Sequence, residues 1–549
     1  MVGLAQPAMP RSSRGTQYSA PFVMPAPIGG LNTKDPLAAM DISYASYLEN
    51  IWPMQAEVEV RKGYKSLIET KLPFDITELM TYNSSIIGSS IGAMFGVSGG
   101  HIYDLTNPSS PVSVYSGLSG AKFDETLFST EGGDYLVALS GADPLMLYDG
   151  LSWQPVTGTS TPLAITGVDT ATLIQSTNYR ERLWFTQKGT MNLWYLPSGT
   201  IAGAVKQFDM SSVFTRGGSI AFTAVWTAET GNNLGSMFVV MTTEGEIAIY
   251  QGSNPDEAED FGMVARFYLA APIEACHCEY GTDLLILTES GIFSLTKVMR
   301  NATINLSTNE VGIADVYAPA VLTDKITPNI LRVVASYKTN SGWQLVYLPK
   351  EQMILLNVPV ASGETTVQYV LNTLTGAWTY FTGINSNSWV TFNENTYFSY
   401  KGQMNIAFDA NDDNGNEIIA YCRTAFTSMK TATQKHVKLI RPLIVTSGKF
   451  YMTWQVECDF KTEPLRQFSE KFNDPTGGVA VGGDRWDISI WDEAVWGGSG
   501  LFEFSETFDQ WLQCSSPRGV YISLRLGFSS NRSISWQATE IVLQAGGIV

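Results

Sequence analysis

Three histidines, His101, His277 and His436, are all the imidazole that this chain of 549 residues contains. They stand in separate segments without a neighbouring nucleophile motif, so a Ser/His/Asp or Cys/His machine finds little support. The most metal-like group is Cys276-His277-Cys278. Thiolate and imidazole suit zinc, but on a strand the two cysteines face one way and His277 the other. No CxxC or HxxxH pair completes a set of four ligands, so the triplet reads as structural. The run Asp409-Ala-Asn-Asp-Asp-Asn-Gly-Asn-Glu417 has the oxygen density of a calcium loop. An EF-hand needs Gly at its sixth position and Glu at its twelfth, where Asn414 and Ala420 stand instead. A solvated hairpin turn is the expectation. No catalytic residue, metal or cofactor is expected.

The elements that would position these groups are strands. Between roughly residues 90 and 410 an apolar run repeatedly meets a tight glycine turn and resumes with alternating hydrophobics. The copies are Met94–Val97 into Ile102–Leu105, Leu183–Thr186 into Leu193–Leu196, and Val239–Thr243 into Ile247–Tyr250. Leu284–Thr288 into Phe293–Leu295 and Tyr397–Tyr400 into Met404–Phe408 follow. Each reads as a hairpin, and a spacing of about 40–60 residues suits four-stranded propeller blades. The fold class predicted is mainly β: repeated propeller-like blades over 75–410, plus a β-sandwich or platform. The platform draws on N-terminal strands in 21–74 and C-terminal strands in 411–459 and 517–549. Residues 1–20 read as a mobile arm, and 301–324 as a loop with a short projecting helix. Residues 460–516, rich in Gly and Trp, read as a protruding insertion of the kind that carries contacts.

Composition narrows the function classes. With 44% hydrophobic and 16% charged residues the chain is not a disordered one. Its net charge of −18 disfavours binding to free nucleic acid or anionic membranes, and suits a wall along which a polyanion must slide. No apolar run is long enough to span a membrane, and the polar, Pro-rich start lacks the core of a signal peptide. The 5 cysteines read as reduced thiols of a protein made in a cytoplasm. Trp486, Trp491 and Trp496 recur every five residues, which is neither the strand nor the helix period. They read as a packed cluster or as an interface or gate patch, with sugar stacking a further use.

Two turns, Tyr148–Trp153 and Asn372–Trp378, resemble the Asp-box turn of sialidase propellers. Those enzymes also need an arginine cluster and a Tyr–Glu nucleophile pair. Here only Arg180 and Arg182 lie close inside the blades, on one face by strand alternation. Each tryptophan is instead expected to plug its own blade. A broader resemblance runs through Arg182–Phe185, Gly189–Leu196, Phe214 with Gly217-Gly218, Thr243–Gly252, Gly281–Leu285, Asn357–Pro359, Gln368–Val370 and Asn372–Trp378. Upstream, Gly29–Leu31 and Arg61–Tyr64 fit as well. In this order the strings resemble the propeller-containing tail tube or nozzle proteins of short-tailed bacteriophages and prophages.

The resemblance implies a structural virion protein, not an enzyme, that forms a six-fold ring and conducts and retains the genome during DNA ejection. It implies further copies of the chain, the adaptor and portal complex, and tail fibre or tailspike proteins as partners. Double-stranded DNA would pass without specific binding, and the location would be the virion tail after assembly in host cytoplasm. Glu457, Asp459 and Glu463 are the acidic residues expected toward a lumen. The rival expectation is a carbohydrate-binding or carbohydrate-cleaving propeller acting on host surface glycans.

Overall fold

Gly245 shows why the repeated turns are glycine turns: its φ is +83°, and a Cβ there would lie 2.3 Å from the carbonyl oxygen of Leu269. Gly402 is similar, with φ +71° and the Leu72 carbonyl oxygen 2.5 Å away. A residue with a side chain meets both the left-handed strain and the clash, so the hairpin closes only on glycine.

The computed structural model describes residues 21–68, 71–83, 92–230, 233–257, 259–301, 303–305, 310–312, 321–462, 464, 466–467, 506–508, 510–514 and 516–545. The chain divides into two compact units, one of Leu31–Lys34 with Arg61–Ile418 and one drawn from the segments on either side.

The first unit is a β-propeller built of seven antiparallel sheets in succession. Blade 1 runs Ile76–Tyr82, Ala93–Ser98, His101–Asp104, Val112–Ser116; blade 2 runs Asp124–Thr130, Gly133–Leu139, Leu145–Tyr148, Trp153–Val156. Blade 3 is Leu173–Tyr179, Arg182–Gln187, Asn192–Tyr195, Lys206–Asp209, and blade 4 is Ile220–Thr230, Asn233–Thr242, Glu246–Gln251, Gly262–Tyr268. Blade 5 has Pro272–Tyr280, Asp283–Thr288 and Gly291–Ser294, with Val321 bridging to Phe293. Blade 6 is Gln344–Leu348, Met353–Ala361, Thr365–Asn372, Trp378–Phe381. Blade 7 takes Ser388–Phe392, Asn395–Tyr400 and Gln403–Ala410, and is finished by Gly63–Ser66. Consecutive blades touch along their first strands, and the first strand of blade 7 lies against that of blade 1, so the ring closes.

The apolar cores lie between blades, because a twisted sheet with two apolar faces must bury each against its neighbour. Trp184 of blade 3 is fully buried, with its ring 4.7 Å from Phe238 of blade 4 and 5.5 Å from Phe261. Trp153 is buried against Tyr148 of its own blade and, at 5.1 Å, Phe95 of blade 1. Trp378 is buried and donates its indole N–H to the Leu322 carbonyl, 3.2 Å away. Neither plugs only its own blade; each reaches beyond it, which corrects the expectation.

One further assignment changes: Gly63–Ser66, read as part of the platform segment, belongs to the ring through its pairing with Gln403–Ala410. Helices stand at Leu295–Asn301 and Thr327–Tyr337, and most of 301–324, where a short helix is expected, lies outside the described residues. The described part between them holds the paired strands Thr303–Asn305 and Glu310–Gly312. The second helix carries Pro328 in its first turn, where the missing N–H costs nothing, and buries Ile330 and Val334 one turn apart.

The second unit holds two β-layers. One orders Ile51–Pro53, Val58–Val60, Ile534–Ala545, Lys435–Thr446 and Glu506–Phe508, with Phe22–Pro25 also paired to Ile534–Ala545. The other orders Tyr44–Glu49, Ile418–Thr424, Ile522–Ser530, Tyr451–Cys458 and Arg466–Gln467. Their inner faces bury Ile440, Ile444, Trp536 and Ile541 from one layer and Met452, Leu524, Leu526 and Phe528 from the other. N- and C-terminal strands thus build one platform.

Candidate functional site at the axial seams

The first strand of every blade is an edge strand with outward-turned N–H and C=O groups, and a buried edge needs partners for them. Two seams solve this with an amide. Gln175 Oε1 accepts from the Thr223 N–H at 2.8 Å while its Nε2 donates to the Thr223 carbonyl at 3.0 Å. Gln344 does the same to Trp389, at 2.8 Å and 2.9 Å.

Other seams use carboxylates. Glu125 Oε2 accepts from the Thr81 N–H of blade 1 at 2.8 Å, and Asp124 Oδ2 from the Ser176 N–H of blade 3 at 3.0 Å. Blade 2 is therefore held on both sides by two adjacent acids. Glu274, on the blade 5 bulge where it and Ala275 take positive φ, accepts from the Gly342 and Trp343 N–H groups at 2.8 and 2.7 Å. Between blades 7 and 1, Ser388 Oγ donates to Glu78 at 2.5 Å and accepts from the Leu79 N–H at 3.2 Å. Lys122 Nζ lies 3.4 Å from Glu78 and donates to the Asn387 carbonyl at 2.8 Å.

Glu78, Lys122, Asp124 and Glu125 are the charged cluster this wall presents. Asp124 and Glu125 are part-exposed as whole residues, but their carboxyl groups lie among packed protein atoms. Burial pushes Asp124 up to about 7 and Glu125 up to about 8, against the lowering pull of their backbone N–H donors. The charge of Glu78 adds to both shifts.

The sequence candidates fall elsewhere. His101 pairs with the Ser113 hydroxyl at 3.2 Å on the outer strands of blade 1. His277 stacks on Phe222 with ring centroids 4.3 Å apart, its Nδ1 is 2.8 Å from the Ala275 carbonyl, and burial lowers its pKa. Burial pushes the Cys276 thiol up, and Cys278 up to about 12, so neither is a ready thiolate. Among the described residues no group of three His, Cys, Asp or Glu side chains has the arrangement to hold a metal ion.

The cation within the Asp409–Glu417 turn is the chain's own. Arg61, its side chain 1% exposed, forks onto Asp413 at 2.8 and 2.6 Å and donates to the Thr382 carbonyl. Arg180 does not share a strand face with Arg182. Arg180 and Glu181 occupy the hairpin turn itself, at φ 51° and 59°, while Tyr179 pairs with Arg182. Alternation stops where the turn begins, so that pair is corrected.

Trp486, Trp491, Trp496 and Glu463 lie outside the described residues. Glu457 is described, and its side chain is 0% exposed. Arg423 Nε sits 2.7 Å from its Oε2 and Arg525 NH1 3.4 Å from its Oε1, so its charge is spent inside the platform and not offered to a lumen. Asp459 takes φ 48° and accepts from the Val520 and Tyr521 N–H groups, both at 2.9 Å. Beside it Lys435 is buried, its ammonium donating to the carbonyls of Thr431, Thr433 and Val520 at 2.8, 3.0 and 3.1 Å. Burial pulls that lysine's pKa down.

Sequence reading missed the seam acids. Their signal was the pair Asp124-Glu125 heading an alternating strand, where successive side chains leave on opposite sides and reach two different neighbours.

No protein-family model matches the chain, and no curated protein matches it. Among solved structures it is similar to the computationally designed Ika8 protein (9% identity, TM-score 0.32, 63% of this chain and 99% of that one). It is also similar to BBS1N in complex with ARL6DN (9%, 0.35, 63% and 98%). YCF48 from Cyanidioschyzon merolae is a third (9%, 0.34, 63% and 98%). At this level nothing of their ligands or partners passes to this chain.

Proposed function

We propose that this chain is a structural protein of a short virion tail, a nozzle or tube subunit that joins further copies of itself into a ring around the path of the genome. The observation that carries the reading is what the ionisable groups do. Asp124, Glu125, Glu274, Glu457 and Asp459 bind backbone N–H groups or guanidiniums of their own chain, and burial favours the neutral forms of Cys276, Cys278, Cys422 and His277. Chemistry of that kind builds a framework. The ordered strings from Arg182 to Trp378 and from Gly29 to Tyr64 give the framework its setting.

In this role the subunits close by heterologous contacts, and the net charge of −18 keeps the phosphate backbone from sticking. Portal and adaptor would seat the ring, and tail fibres or tailspikes would attach to it. The 460–516 segment is the proposed contact or gate region. Mass photometry and negative-stain imaging of the full chain, alone and with a portal–adaptor complex, test this. Six-fold particles with an axial channel are expected in the mixture. A chain that stays monomeric with the complex present, and that binds surface glycans saturably unless Trp491→Ala is introduced, would replace the reading with the glycan-directed one.

A further inference from the structure

Thr223 and Trp389 show what a seam residue requires: an acceptor for its N–H and a donor for its C=O, both delivered by one glutamine side chain. Thr81 is a first-strand residue of blade 1 met from the opposite direction, by Glu125 reaching back from blade 2, whereas each glutamine reaches forward to the next blade. It faces Met94 in a pair whose ladder bonds are not mutual, because Met94 sends its N–H to the Thr106 hydroxyl and its carbonyl to the Leu105 N–H. In an antiparallel pair of this type the N–H and C=O of Thr81 point together, away from Met94. Glu125 meets that N–H at 2.8 Å. An ionised carboxylate only accepts, whereas a protonated one has the donor and acceptor pattern of glutamine.

We infer that Glu125 is carried protonated in the closed ring and works as a proton-loaded latch between blades 1 and 2, in the manner of Gln175 and Gln344. Its surroundings favour the neutral form. From blade 1 it is faced by the carboxylate of Glu78, and along its own strand by Asp124. Lys122 on the same segment is engaged with Glu78 and the Asn387 carbonyl. On the neighbouring first strands, Ser176 of blade 3 gives its N–H to Asp124 and Ser388 of blade 7 bonds Glu78. Among the described residues two acids and no ion-paired cation thus stand by Glu125, and its release of a proton places a second charge beside Glu78.

The sign of the linkage follows. The folded carboxyl titrates at about 8 against an ordinary 4.5, so the folded chain binds the extra proton between those values. Stability is complete below the lower value and falls as pH rises through the upper one. Asp124 adds a parallel loss between 3.8 and about 7. In denaturant titrations of the full chain, the unfolding constant should rise by up to about tenfold per pH unit within the Glu125 window. In Glu125→Gln this part of the slope should disappear, with Asp124→Asn removing the lower part.

Infrared spectra of the unmodified protein supply a readout that needs no variant to fold. A protonated-carboxyl band whose loss near pH 8 is missing from Glu125→Gln, leaving only the Asp124 band that is lost nearer pH 7, supports the latch. Absence of that band from the unmodified protein, or parallel pH profiles for it and Glu125→Gln, overturns it.

Discussion

Glu125 in the propeller and Glu457 in the platform are two withdrawn glutamates in opposite company. Glu125 has a backbone N–H and two neighbouring acids. Glu457 lies between Arg423 and Arg525, on strands that pair it with Ser523 and bring Arg525 opposite Gln455. The same side chain therefore serves as a neutral seam group in one region and as the centre of an ion triad in the other. Burial raises Glu125 and the neighbouring acids add to it, whereas the buried Glu457 is met by two guanidiniums. A count of acidic residues, such as the net charge of −18, then overstates how much negative charge faces solvent.

Glu457→Ala is the variant that breaks this contrast hardest. It strands two part-buried guanidiniums, 24% and 29% exposed, and should cost about 3 kcal/mol in denaturant unfolding, with little change between neutral and mildly alkaline pH. Next comes Gln175→Glu, which puts an acid where an amide now bridges Thr223. A loss of about 1–2 kcal/mol is expected at alkaline pH and a smaller one in acid, so the unfolding curve should acquire a pH dependence beyond that of the Glu125 and Asp124 seams. Arg525→Lys should change stability by less than about 1 kcal/mol, since its contact with Glu457 is the longer one, at 3.4 Å. An Arg525→Lys loss as large as that of Glu457→Ala would mean that the triad is not led by Arg423.

The hairpins were legible because their cause is local. A glycine between two alternating runs carries its own steric reason, as at Gly245 and Gly402. Blade 2 was harder to see, because its second and third strands join through Ser140–Pro144, a loop stabilised by Asp143 accepting from the Ser119 and Gly120 N–H groups. Blade 6 begins with the Gln344–Leu348 hairpin to Met353–Ala361, turned through Gln352 at φ 54° and not through a glycine. The pair Asp124-Glu125 stood in the sequence, but what it and Arg61 bind did not: Glu125 and Thr81 are 44 residues apart, Arg61 and Asp413 are 352 apart, and only the closed ring brings them together. In the calcium-like turn, too, local composition shows the oxygens, while the guanidinium that binds Asp413 comes from Arg61.

Gly63–Ser66 is synthesised before any of the other propeller strands, yet it is the last strand of blade 7 and pairs with residues beyond 400. During translation it has no partner until the rest of the ring has left the ribosome. The nascent chain thus carries an open sheet edge for most of its elongation, a period in which pairing with a stranger competes with self-closure. Conditions that lengthen that wait, such as slow elongation or high expression, should cost yield before they cost the stability of finished molecules.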